Sequence, residues 1–246
     1  MTVISRPVRM PRFAFLVSWE LAGLGELPVV IGPGQSGWNN RRRALEVLVR
    51  LGLAGDDGVL EPRYRRTLGV LGNARREVFS WDSLDREVGS AAGVLSAVSG
   101  ADAVRLIAGG ETVRLDPVRP AELAASVVDA LPTCSPARVR PMGVPKDRRG
   151  VGRDCGGGDL LAELAEKSGE FRLVLREKPD AVHQFRAAGR GFGGERTWSA
   201  PGCLVDLAGR GRLLVVVSGD DRRITVFPGR RAHVTAVLGH LVDTLG

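Results

Sequence analysis

Apolar positions along this chain recur with two periods. A spacing of three and four reads as helix, and alternation reads as strand. The clearest helical stripe is Val234, Val237, Leu238, Leu241, Val242 and Leu245. A second runs through Leu123, Ala124, Val127, Val128 and Leu131. Each follows two β-rich runs around a Gly- or Asp-rich turn, which read as a hairpin. Each hairpin closes on a proline, which has no N–H for the ladder. Val104 to Pro117 aligns with Val215 to Pro228 without a gap, and Arg119 and Arg230 stand two residues after each proline. The helical runs end alike, on Val128-Asp-Ala-Leu131 and Val242-Asp-Thr-Leu245. A strand–Pro–helix unit therefore occurs twice.

Upstream, Phe13 to Trp19 is an apolar run that fits a strand or the first turn of a helix. A turn cluster at Gly32 to Gly37 precedes a helix over Trp38 to Leu53. Glu61 and Pro62 open another helix through Leu71, since proline is tolerated at a first helical position. Arg75 to Trp81 alternates as a strand, and Val88 to Val98 is a Gly/Ala-rich strand candidate. Pro132, Pro136, Pro141, Pro145, Lys146-Asp-Arg-Arg149 and Gly156-Gly-Gly158 then mark a linker or long loop.

After it the order repeats. Asp159 is placed to cap a helix over Leu160 to Lys167. Phe171 to Arg176 and Ala181 to Ala188 are strand candidates, and a Gly-rich loop at Gly189 to Gly194 leads to Trp198. Cys203 to Leu207 and Arg212 to Val217 lead into the second hairpin. Strands gathered in runs and followed by helices indicate an α+β fold with an antiparallel sheet. The expected organisation is an N-terminal half over 1–133, a Pro/Gly/Arg-rich linker or loop over 134–158 and a C-terminal half over 159–246, in one compact unit. The strand–Pro–helix unit is then scaffold, with function between the halves and in the loops that differ.

Composition narrows the function. A chain of 246 residues can bury a sizeable core. Its apolar runs fall short of the roughly 18 residues that span a membrane. Phe13 to Val17 is too short a run for a secretory signal, so a cytoplasmic location is expected. Cys134, Cys155 and Cys203 form no CxxC and read as plain thiols. The formal charge is +7, but only Lys146, Lys167 and Lys178 are lysines among 35 basic residues. The arginines are dispersed and aromatics are few, which favours solvated surface over nucleic-acid binding. A basic nucleic-acid-associated protein stays as the alternative, on that charge and the loop Arg190-Gly-Phe-Gly-Gly194.

No catalytic constellation is found. Gly150 to Gly158 lacks the Gly-Lys-Ser/Thr ending of a phosphate loop, and Asp154 and Asp159 oppose an anion there. His183, His233 and His240 have no ligand pair at helical spacing, and no Gly-x-Ser-x-Gly elbow is present. A thiol enzyme using Cys203 or Cys155 is a third possibility. No catalytic residue, metal or cofactor is expected.

Several weak motifs in order resemble one family. They are Phe13-Ala-Phe-Leu-Val-Ser-Trp19-Glu20-Leu-Ala-Gly-Leu-Gly-Glu-Leu-Pro28, Leu51-Gly-Leu53, Gly58-Val-Leu-Glu-Pro62 and the helix through Leu68 to Leu71. Asp116-Pro117-Val-Arg-Pro120 and Ile224-Thr-Val-Phe-Pro228 complete the set. Over 13–131 and 197–246 the chain is similar to the EspG family, chaperones associated with ESX (type VII) secretion. The resemblance implies a central antiparallel sheet with flanking helices and two quasi-twofold halves. It also implies a cytosolic, non-enzymatic chaperone that binds a PPE-like substrate of a PE–PPE-like helical pair. Such a protein covers an apolar patch on its client and targets it to the secretion machinery. Loop position in each half gives the partner-binding candidates Val98, Asp102, Phe192, Arg196 and Trp198.

Overall fold

The computed structural model describes residues 3–32, 38–82, 93–146, 157–174, 179–191, 193–218 and 223–245. Strand β1 (Val8–Pro11) runs into helix α1 (Arg12–Leu21), followed by α2 (Trp38–Arg50) and α3 (Pro62–Gly72). Then come β2 (Arg76–Asp82), β3 (Gly93–Ser99), β4 (Asp102–Gly109), β5 (Thr112–Val118), a 3-10 turn at Pro120–Glu122 and α4 (Leu123–Ala130). The order then repeats with β6 (Met142–Pro145), α5 (Gly157–Lys167), α6 (Gly169–Val174) and β7 (Ala181–Arg190). A short β8 (Arg196–Trp198) precedes β9 (Gly202–Leu207), β10 (Gly211–Ser218), β11 (Arg223–Pro228) and α7 (Arg231–Asp243).

These strands form one antiparallel sheet in the order β1-β5-β4-β3-β2-β7-β9-β10-β11-β6, with β8 added on β7. The order reads the same from either edge. At the centre, β2 and β7 share a continuous ladder from Arg76–Gly189 to Asp82–His183. Proline guards both edges: Pro7 and Pro11 bracket β1, and Pro141 and Pro145 bracket β6. A strand flanked by residues without N–H groups is a poor template for a further strand.

Helices cover both faces. On one, α1 to α3 lie over the first half and bury Phe15, Trp19, Leu48, Tyr64, Leu68 and Phe79. The same face of the second half is covered by α5 and α6 through Leu160, Leu164 and Phe171. On the other face α4 and α7 pack over the centre, through Val127, Val128, Val234, Leu238 and Val242. Each such side chain, once fully buried, contributes about 1.5–3 kcal/mol.

Local chemistry explains where the elements differ from the sequence expectation. Phe13 to Trp19 is helical, inside α1. Phe171 to Arg176, expected as a strand, is helical as far as Val174. Ser168 Oγ accepts the Phe171 N–H at 3.2 Å and starts a new helical turn directly after α5. Asp159 lies inside α5, not at its cap. The stretch expected as linker contains β6, which pairs with β11. Ahead of it, Ala137 N donates to Arg212 O and Arg212 N to Ser135 O, holding that segment on β10. The turn cluster 33–37, residues 83–92 and the glycines of 150–156 lie outside the described residues.

The two hairpins align in sequence without a gap, yet their registers differ. Val104 pairs with Pro117, whereas Pro228 pairs with Leu213 and not with Val215. The second hairpin is slipped by two residues. A slip of two returns every side chain to its own face, so the apolar pattern is unchanged. Both prolines stand at the sheet-to-helix corner, and Arg119 and Arg230 occupy extended positions just before the helical turns.

Helix α3 starts as the sequence indicates. The Glu61 carboxylate accepts the Tyr64 N–H at 2.8 Å, with Pro62 at the first helical position. Glu61→Ala removes that cap and is expected to lower stability by about 1 kcal/mol, measured by urea denaturation.

Candidate functional site

The register brings four of the five candidate residues to one end of the sheet. Val98 pairs with Arg76, Arg76 with Gly189, and Gly189 with Thr197. Val98 and Asp102, expected as contact residues, are only 5% and 4% exposed. Val98 packs in the core under α4 and α7. The Asp102 carboxylate lies 3.5 Å from Arg66 Nε. Both secure the β3–β4 turn from inside.

Arg196 and Trp198 are half-buried on the α1–α3 face. The Arg196 guanidinium stands 4.2 Å over the Trp198 ring and pairs with Glu77. Trp198 in turn meets the Phe79 ring edge-on at 5.7 Å. Burial pushes the Glu77 carboxyl up, and Arg196 and Arg190 offset only part of that. These groups line a polar pocket of about 350 Å³ closed by Gly25 to Pro28 and the end of α3. Phe192 lies outside the described residues.

A larger, apolar groove runs along α7. It measures about 560 Å³, and Phe185, Pro201, Val216, Phe227, Val237 and Leu241 form its walls. Among the described residues, no Asp, Glu, Lys or Arg side chain lines it. His233 meets the Phe227 ring edge-on at 4.7 Å, and His240 stands at the rim. The α7 stripe splits into two rows. Val234, Leu238 and Val242 are buried on the sheet, while Val237 and Leu241 stay half-buried and face the groove. Sequence reasoning missed this site because it treated the stripe as one core face. The signal was its width: six apolar positions, where contact with the sheet uses three. The strand–Pro–helix unit, expected as scaffold, supplies most of the groove wall.

The described residues hold no group of three His, Cys, Asp or Glu able to bind a metal. Cys203 is fully buried, and burial pushes its thiol up to about 12. At neutral pH it is not a nucleophile. Cys155 lies outside the described residues. No described helix is long and apolar enough to cross a membrane.

The family model of the EspG family matches residues 12–240. The chain belongs to the EspG family. Among solved structures it is similar to the Mycobacterium tuberculosis type VII secretion system chaperone EspG5, solved in complex with a PE25–PPE41 dimer. That match has a TM-score of 0.73 at 18% identity and covers 98% of this chain and 97% of the other. No curated protein sequence matches the chain. The EspG-family match runs through 132–196, where the sequence showed no motif of the family. As an EspG-family fold, the sheet carries its uncharged groove on the second half, beside the final helix.

Proposed function

We propose that this chain is a cytosolic, non-enzymatic chaperone of a type VII secretion system that binds a PE–PPE-like helical pair. One observation carries the reading: family membership over 12–240, together with a fold shared across nearly its whole length with EspG5, solved holding such a pair. The groove along α7 supports it. A concave, uncharged surface suits the apolar tip of a helical client, and covering that tip suppresses its aggregation. In this reading residues 1–133 and 159–246 are the two halves, and β6 belongs with the second. Arg196, Trp198 and Phe192 are then a secondary contact at the β7–β8 end.

The test is purification of the tagged chain from its source cells, followed by identification of the proteins it retains. A helical secretion substrate is expected. Leu241→Asp, which puts a charge in the groove, is expected to weaken its binding about 30-fold or more. Retention of nucleic acid in place of such a protein, or full binding by folded Leu241→Asp, refutes the reading.

A further inference from the structure

Because the sheet order is the same from both edges, each strand has a counterpart in the other half. On the α4/α7 face the registers match row by row. In the second half one row is Gly143–Thr225–Val216, beside the pair Leu214–Phe227. In the first half the same places hold Arg9–Arg114–Ile107 and Arg105–Asp116. The flank of the second half has no charge in these two rows, which border the groove, although Arg223 lies beside them and donates through Nη2 to Gly143 O at 3.2 Å. The other carries three guanidinium groups and one carboxylate.

The carboxylate is already satisfied. Buried Asp116 accepts from Arg105 Nε at 3.0 Å, Arg105 Nη2 at 2.6 Å and Arg114 Nε at 2.7 Å. Arg105 Nη1 donates to Ser126 O at 2.9 Å. Arg9 and Arg114 are exposed and directly opposite one another, so their side chains share a face. Arg9 Nη2 reaches Thr112 Oγ1 at 3.5 Å, and no described carboxylate lies within ion-pair distance of it. Like charges at directly opposite positions destabilise a sheet. Among the described residues, the fold keeps such a pair on its surface without a counter-charge for Arg9.

We propose that this plate docks an acidic segment of a partner protein, with one Asp or Glu carboxylate held between Arg9 and Arg114. A guanidinium presents parallel N–H groups that match a carboxylate, and two at cross-strand spacing bracket one. Arg105 and Asp116 fix the Arg114 side of the bracket. Nucleic acid fits less well. It requires a stripe of phosphate contacts and aromatic platforms, whereas β1, β4 and β5 contain no aromatic residue. The inference goes beyond the chaperone reading, since β5 and β11 are seven strand spacings apart, roughly 34 Å. Groove and plate can therefore be filled separately.

The probe is a fluorescein-labelled oligoglutamate peptide, followed by anisotropy at low and moderate salt. Arg9→Gln with Arg114→Gln is expected to weaken binding about tenfold or more. Arg41→Gln with Arg50→Gln removes the same charge from the exposed side of α2 and is expected to change it less than about twofold. Equal loss in both variants means that net charge alone attracts the peptide, and overturns the proposal. So does unchanged binding by the plate variant, or a plate-dependent preference for duplex DNA or phosphatidylglycerol vesicles over the peptide. Arg9→Gln alone leaves Asp116 untouched. It is expected to melt about 1–3 °C higher while still losing affinity; a lower melting temperature means that Arg9 is structural and overturns the proposal.

Discussion

Replacing Arg212 by methionine is expected to cost about 3–5 kcal/mol, because it strands a buried carboxylate. Arg212 is 6% exposed and Asp206 8%. The guanidinium grips both carboxylate oxygens, Nε to Oδ1 at 2.6 Å and Nη2 to Oδ2 at 2.7 Å. Nη2 also donates to Pro132 O at 3.0 Å, tying the chain that leaves α4 to β10. Arg212→Lys offers a point charge in place of a fork and is expected to fall between the two. Burial alone raises the Asp206 carboxyl, but Arg212 and His183 outweigh it and hold the group below its ordinary range. A depressed folded value stabilises the protein above the unfolded value, near pH ~4, and that stability is lost as pH falls through the folded value. The stability gap between wild type and Arg212→Met is therefore expected to be full at neutral pH and to narrow in acid. Urea denaturation at several pH values measures it; a gap independent of pH rules out the ion pair as its source.

Phe79→Ala is the second large effect expected, about 3–5 kcal/mol. Phe79 is 1% exposed at the middle of the sheet. Its ring stacks on Trp81 at 5.6 Å and takes the edge of Trp198 at 5.7 Å. Trp198 comes from the second half and Phe79 from the first, so the cavity opens at the join. The melting temperature is expected to fall by roughly 10 °C. Tryptophan emission should shift to the red in the folded variant, as Trp81 and Trp198 gain water. Unshifted emission from a folded variant would show that the three rings do not act as one cluster.

Much of the fold was legible because the longer elements follow a single period. The two hairpins, α3 with its Glu61–Pro62 start, and α7 were all readable from spacing and breakers. What stayed hidden was short or depended on partners. Strand β6 has four residues, follows Pro141 and ends on Pro145, and its identity comes from pairing with β11. Helix α6 has six residues, too few for a helical period to show, and its start depends on Ser168. The two-residue slip of the second hairpin leaves no mark on the apolar pattern, since every residue keeps its face. The groove was not legible because Phe185, Val216 and Leu241 are ordinary core residues in sequence. Only the packing of α7 leaves Phe227, Val237 and Leu241 half-buried. Position in a turn suggested Val98 and Asp102 as contacts, but a tight turn with its side chains tucked inward offers backbone, not side chain.

The ladder between β2 and β7 has a mechanical meaning. Two halves joined by a linker can hinge, and a hinged carrier releases cargo by opening. Here the halves are zipped into one continuous sheet, with aromatic rings from both sides locked behind the seam. Opening it means breaking the centre of the fold. In the proposed chaperone role, a carrier built this way is an anvil and not a jaw. Unloading is then set by how fast cargo slides off a fixed surface, or by a competitor that takes hold of the cargo itself.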